Sequence, residues 1–297
     1  MSRNTFSFTE HAQVLLEDPD LAQAVPSARR SEAIRECTAE VLTLHPGEWP
    51  SAALPAAGTV TLVLEGLLLR RVGAGGCFGA ELLGSGDLLQ PWRGAHPADA
   101  LATSTGWRVL EPTRLALLGP TFTRRLARYP QLTGALVGRA LDRSRQLAIN
   151  MAIVHQPRVD TRLHMLLWQL AGRWGRVRPD GVVVPLRLTH SLLAELVAAR
   201  RPTVSRALAL LAEGRRALPI EGGWLLCGVP PGELLALAPV AARAQPRGEE
   251  PAAPAGRTEH GDGARQAHRR PPLADRRPER PAANAYASGG ERAVRSR

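Results

Sequence analysis

The chain has 297 residues, 44% of them hydrophobic, which is ample for two packed domains, and it holds no uninterrupted apolar run of about 18 residues of the kind that crosses a membrane. Its formal charge of +11 is carried by arginine without a single lysine, a bias that reads as GC-rich coding. Residues 1–120 hold 9 Arg against 13 acidic residues (−4), residues 121–240 hold 17 against 7 (+10), and residues 241–297 hold 12 against 7 (+5), so an acidic front half precedes a basic middle suited to nucleic acid.

In chain order, residues 9–24 are predicted as a lead-in helix capped by Thr9, with Val14, Leu15 and Leu21 on its apolar side. No basic and then apolar leader stands in front of it, and cytoplasmic residence is the expectation. From 38 to 118 short apolar runs alternate with Gly, Pro and Asp, the texture of a β-rich domain with barrel or jelly-roll closure. Its longest run is Leu62 to Val72, with a turn predicted at Glu65-Gly66 and another at residues 84–87. Cys37, Cys77 and Cys227 are too scattered for a disulfide framework or a thiolate metal cluster.

A helix is predicted from Pro130 to Val154, about 37 Å long. Tyr129, Leu132, Leu136, Ala140, Leu147, Met151 and Val154 recur along it at spacings of three, four or seven. Pairing with its copy in a second subunit would hide that stripe, the alternative being packing on its own β domain. After a hinge at residues 155–157, a helix at 159–174 turns Leu163, Leu166, Leu167, Leu170 and Trp174 inward, and a strand follows over Val182 to Leu186.

Two short amphipathic helices then meet at a tight turn. Thr189 caps the first, which buries Leu192, Leu193, Leu196 and Val197; Ala198 and Ala199 are small enough for a close crossing. Pro202 falls in the first turn of the second helix, where its missing N–H breaks no bond. Val204, Ala207, Leu208 and Leu211 form the inner stripe, leaving Arg201, Thr203, Ser205 and Arg206 outside with Arg200 beside them. Arginines so placed fork onto guanine edges or phosphates in a major groove, although a helical hairpin with a solvated arginine face has the same pattern. Glu221-Gly222-Gly223 predicts a hairpin between residues 218–220 and 224–227, completing a winged helix-turn-helix.

These features resemble the Crp/Fnr regulators over roughly residues 40–228, most closely over 182–213. The family's reading helix carries an Arg-Glu-Thr-Val-Gly-Arg type core, and the run here is Arg201-Pro202-Thr203-Val204-Ser205-Arg206. The resemblance implies an α+β chain: a cyclic-nucleotide-binding-like β-roll or jelly-roll (1–120), a dimerisation helix (121–156) and a winged helix-turn-helix (157–232). A disordered basic tail follows (233–297), for which an altered reading frame in a GC-rich gene is an equal account.

It further implies a sequence-specific homodimeric regulator, not an enzyme, reading palindromic double-stranded DNA through Arg200, Arg201, Thr203, Ser205 and Arg206, with Thr189 and His190 on the backbone. RNA polymerase and an unidentified small-molecule effector are the further partners implied. Pro202 departs from the family's glutamate and predicts a different operator. The segments that would hold a cyclic nucleotide fall on Gln90-Pro91-Trp92 and Thr103-Ser104-Thr105, which lack the key charges, and Glu81 and Arg93 are expected as surface charges, so cyclic AMP is not the expected ligand. No cofactor is expected; a haem ligated by His45, His96 or Cys77 is the one cofactor reading left open. The competing functions are a cupin-like metal-dependent enzyme, disfavoured by isolated histidines, and a winged helix that binds an acidic protein.

Overall fold

The computed structural model describes residues 6–50, 60–74, 77–90, 103–232 and 234. The segment expected as a lead-in helix begins instead as a strand, β1 (Phe6–Gln13), paired antiparallel with β2 (Thr38–Leu44), and Thr9 sits at a bulge between Phe8 and Glu10. Helix starts later, as α1 (Val14–Glu17) and α2 (Pro19–Gln23). The cap is Asp18, whose carboxylate accepts from Leu21 N at 3.0 Å with Pro19 in the first turn. A third helix, α3 (Ser27–Glu36), was masked in the sequence by its charge.

The β-roll is completed by β3 (Gly47–Glu48), β4 (Val60–Ala74), β5 (Cys77–Gly84), β6 (Leu88–Leu89) and β7 (Ser104–Leu118). All pairings are antiparallel in the order β1-β2-β7-β4-β5, with β3 on β7 and β6 on β4. The predicted turn at Glu65-Gly66 does not form, for β4 runs through it as a chain of bulges against β7. Gly66 has φ +101°, and a Cβ there would lie 2.4 Å from Pro112 O, so close approach of two backbones is what the glycine permits. The turn at residues 84–87 does form: Gly86 has φ +88° and Gly84 N donates to Asp87 Oδ2 at 2.8 Å. Inside the roll Leu42, Val63, Leu68, Leu83 and Leu115 surround an edge-to-face pair, Trp49 and Trp107, 5.7 Å between ring centres.

The chain leaves the roll through α4 (Pro120–Leu126) and enters α5 (Pro130–Val154), whose 25 residues match the predicted span. Its expected stripe is corrected, because Tyr129 and Leu132 are buried in the chain's own roll and Leu136 is half-buried. Two arginines extend that inner seam: Arg139 pairs with Asp18, and Arg143 donates to Glu81 at 2.8 Å and to Leu88 O at 2.6 Å. The outer seam is Val137, Leu141, Ser144, Ala148 and Met151, all exposed.

The helix α6 (Val159–Trp174) buries five consecutive residues, Leu163 to Leu167, more than one amphipathic face. The reason is that it lies between two layers. Leu67, Leu69 and Leu82 of the roll share one buried cluster with α6 and with the leucines that follow it. The C-terminal sheet comprises β8 (Arg176–Arg178), β9 (Gly181–Val184), β10 (Ala217–Ile220) and β11 (Gly223–Leu226), ordered β10-β11-β9-β8. The strand expected over Val182 to Leu186 ends at Val184, before Pro185, and gains β8 as a partner that its short charged run did not announce. Between the hairpins lie α7 (His190–Leu196) and α8 (Arg201–Glu213). No described helix is long and apolar enough to cross a membrane. The expected basic tail, like Arg93 and His96, lies outside the described residues.

Candidate nucleic-acid interface

Val204, Ala207, Leu208 and Leu211 are buried and fix the rotation of α8. That rotation leaves Arg201, Pro202, Thr203 and Arg206 exposed, with Arg200 exposed at the cap position. Arg200, Arg201 and Arg206 form no ion pair with any described carboxylate, so three guanidiniums stand free at the start of one helix. An arginine face without internal partners is the electrostatic complement of a phosphate backbone.

The other expected residues are engaged locally. Thr189 Oγ1 accepts from Leu192 N at 3.2 Å and so caps α7. Ser205 is half-buried and its hydroxyl donates to Arg201 O at 3.2 Å, while His190 Nδ1 lies 2.9 Å from the same oxygen. His190 and Ser205 thus tie the start of α7 to the first turns of α8.

Two structural roles in this unit were not anticipated. Ala198 occupies the turn with φ +50°, and Ala199 N bonds back to Ala194 O at 2.9 Å, closing α7 in a left-handed cap usually made by glycine. Arg162 of α6 donates from Nε to Gln156 O at 2.6 Å and from Nη1 to Val197 O and Ala198 O at 3.2 and 3.3 Å. It joins the hinge to the carbonyl end of α7, where a cation is favoured. Its partners are backbone carbonyls, which leave no mark in a sequence.

Residues 161–215 match the family described as the Crp-like helix-turn-helix domain. The fold that carries this domain is shared with two solved structures. A CooA mutant from Carboxydothermus hydrogenoformans is similar at TM-score 0.52 and 15% identity, covering 78% of this chain and 96% of that one. A cyclic nucleotide-binding domain containing protein from Listeria monocytogenes EGD-e gives TM-score 0.52 and 15% identity, covering 70% and 96%. No curated protein matches by sequence.

A cavity of about 540 Å³ lies between the roll and the helices α4 and α5. Val60, Leu88, Leu118, Phe122, Leu126 and Leu136 wall it, and Arg70 and Arg143 also line it. Glu81, expected as a surface charge, is buried behind them and pairs with both arginines. Of the segments expected to correspond to a nucleotide site, Gln90 lines the cavity, but Ser104 and Thr105 do not: they lie opposite Gly73 and Val72 at the far end of β7. His45 is exposed, and among the described residues no group of three His, Cys, Asp or Glu is placed to hold a metal.

Proposed function

We propose that the chain is a sequence-reading transcription regulator that acts as a homodimer through α5 and places α8 in the DNA major groove. The observation that carries this reading is the free arginine face of α8, presented by a helix whose other side is locked into the core. Arg201, Thr203 and Arg206 take the base edges in this proposal, Arg200 a phosphate, and Thr189 and His190 the backbone at the start of α7. Pro202 offers only apolar contact, for example to a thymine methyl, so the operator differs from one read by a glutamate at this place.

Dimerisation is supported by the outer seam of α5. Val137, Leu141, Ser144, Ala148 and Met151 follow steps of four, three, four and three, the spacing of a two-helix seam, and Val137, Leu141 and Met151 are 53%, 66% and 63% exposed in the single chain. Two copies related by a twofold axis would set two α8 helices against an inverted repeat. The β-roll cavity is the place for an effector. Its described lining carries no carboxylate to accept from ribose hydroxyls, which argues against a cyclic nucleotide.

The test is selection of sheared genomic DNA by the purified full-length chain at near-physiological salt. The expected result is a shared inverted repeat with half-sites about 10 bp apart. Arg201→Ala and Arg206→Ala should each weaken specific binding by about 1–3 kcal/mol per lost bidentate base contact, and Arg200→Ala should lower the salt dependence instead. Uniform recovery of all fragments by a folded dimer would refute the reading.

A further inference from the structure

We infer that the cavity between the roll, α4 and α5 binds a small monocarboxylic acid with an apolar body, whose carboxylate completes the charge of Arg70 and Arg143. This rests on the reading of the roll as a sensor, and it names the ligand class.

The first argument is charge. Arg70 and Arg143 share one carboxylate, that of Glu81, and all three side chains are largely withdrawn from solvent, Glu81 being 8% exposed, Arg143 17% and Arg70 25%. Among the described residues, two cations against one anion leave one positive charge uncompensated where dielectric screening is weak. Burial and the nearby Arg143 both push the Arg70 guanidinium pKa below its ordinary value, which marks the same imbalance. Three further carboxylates of this part of the chain are taken, Asp18 by Arg139, Asp87 by Arg173 and Glu17 by Arg114, and Asp142, next to Arg143 in the chain, is exposed to solvent.

The second argument is hydrogen bonding. Arg143 places its two Nη groups on Leu88 O and Glu81, but its Nε is buried without an acceptor among the described residues. The Arg70 guanidinium, which also lines the cavity, lies 6.0 Å from the Trp107 ring centre. Arg143 thus has a donor to spare that no described acceptor answers, and such a group is costly to leave unmade.

The third is shape. About 540 Å³ lined mainly by Leu, Val and Phe takes the hydrocarbon part of a ligand of modest size. A phosphate monoester would bring close to two charges where one is lacking, and a cyclic phosphodiester, though a monoanion, would bring ribose hydroxyls that no carboxylate of the described lining accepts from. A neutral hydrocarbon would fill the walls and leave the arginines unanswered.

The experiment is isothermal titration calorimetry of the full-length chain with octanoate and benzoate, against octanamide and benzamide, with cyclic AMP as a further arm. Binding by at least one acid is expected, with its amide about 10- to 100-fold weaker, the range of a lost charge-assisted hydrogen bond. Octanoate against benzoate distinguishes an alkyl from an aromatic body. Arg70→Gln should bring acid and amide to similar affinity. Ala140→Trp, which leaves the charges intact and fills the cavity from α5, should abolish acid binding while the protein stays folded; it carries the test if Arg70→Gln does not fold. Equal affinity for acid and amide, unchanged binding in Ala140→Trp, tighter binding of cyclic AMP, or no binding of either acid would each overturn the proposal. The titration contains no DNA, so a failure of the DNA-reading proposal and a failure of this one are told apart.

Discussion

At Ala198 a side chain sits in a conformation that glycine holds without strain. Its φ of +50° places Cβ against the following carbonyl, an arrangement costing an L-residue about 1–2 kcal/mol. Glycine avoids that strain but has a more disordered unfolded chain, so Ala198→Gly should stabilise the winged unit by about 0.5–1 kcal/mol and raise its melting temperature by about 2 °C. A thermal melt checks it, and a lower melting temperature would show that the methyl is packed to advantage. A second residue-scale test concerns acid. Tyr129 donates to Glu36 Oε2 at 2.7 Å, and that hydrogen bond, assisted by the Arg128 charge, holds the Glu36 carboxyl below its ordinary pKa. A folded-state pKa below the unfolded value of about 4.3 gives stability that is present above that value and lost as pH falls through the folded one. Tyr129→Phe should therefore be less stable than the parent at pH 7, with the difference shrinking by pH 3; urea unfolding at the two pH values measures it. The Thr189 cap was legible because hydroxyl side chains announce helix starts. Ala198 was not, since nothing in an alanine declares a positive φ.

Among the elements, α5 shows how far periodicity reaches and where it stops. Its bounds were legible from Pro130 and from the absence of any later proline before the hinge. Its faces were not, because the seam that holds it to its own roll is finished by Arg139 and Arg143, and an arginine on a helix reads as solvated until its buried carboxylate is seen. The same blindness made Glu81 look like surface, and it turned a strand at Phe6–Gln13 into the start of a helix, since Val14, Leu15 and Leu21 fit a helical spacing whatever precedes them. With the inner seam occupied, Leu141 at 66% exposure lies in the middle of the outer one. Leu141→Lys should leave the monomer's stability nearly unchanged and break the proposed dimer. Each buried leucine is worth about 1.5–3 kcal/mol, and a twofold axis removes two per interface. Sedimentation velocity reads this directly; a variant that still sediments as a dimer would move the interface off α5.

For the molecule as a whole, the roll and the winged helix share a core. The described residues belong to one compact unit, and Leu82 of β5 belongs to the cluster that contains Leu163, Leu192, Leu193 and Leu196. Arg71 of β4 adds an ion pair to Glu195 of α7 at 2.7 Å, half-exposed and so worth at most about 1 kcal/mol; the leucines carry the larger part. Successive residues of a strand point to opposite sides, and here that alternation has a consequence. Glu81 meets the two cavity arginines, and Leu82, its neighbour, enters the core shared with α7. Strand β5 therefore touches the cavity's charge on one side and the start of the helix-turn-helix on the other. Leu82→Ala removes the second contact without altering the first. Truncating a buried leucine costs about 2–5 kcal/mol, and the loss should fall first on the element that only borrows this core. Hydrogen exchange should show protection in α7 falling by at least about tenfold, while the β2–β7 ladder changes less. Equal loss in both places would mean that the unit opens only as a whole, and the winged helix would then have no motion of its own for a ligand in the roll to bias.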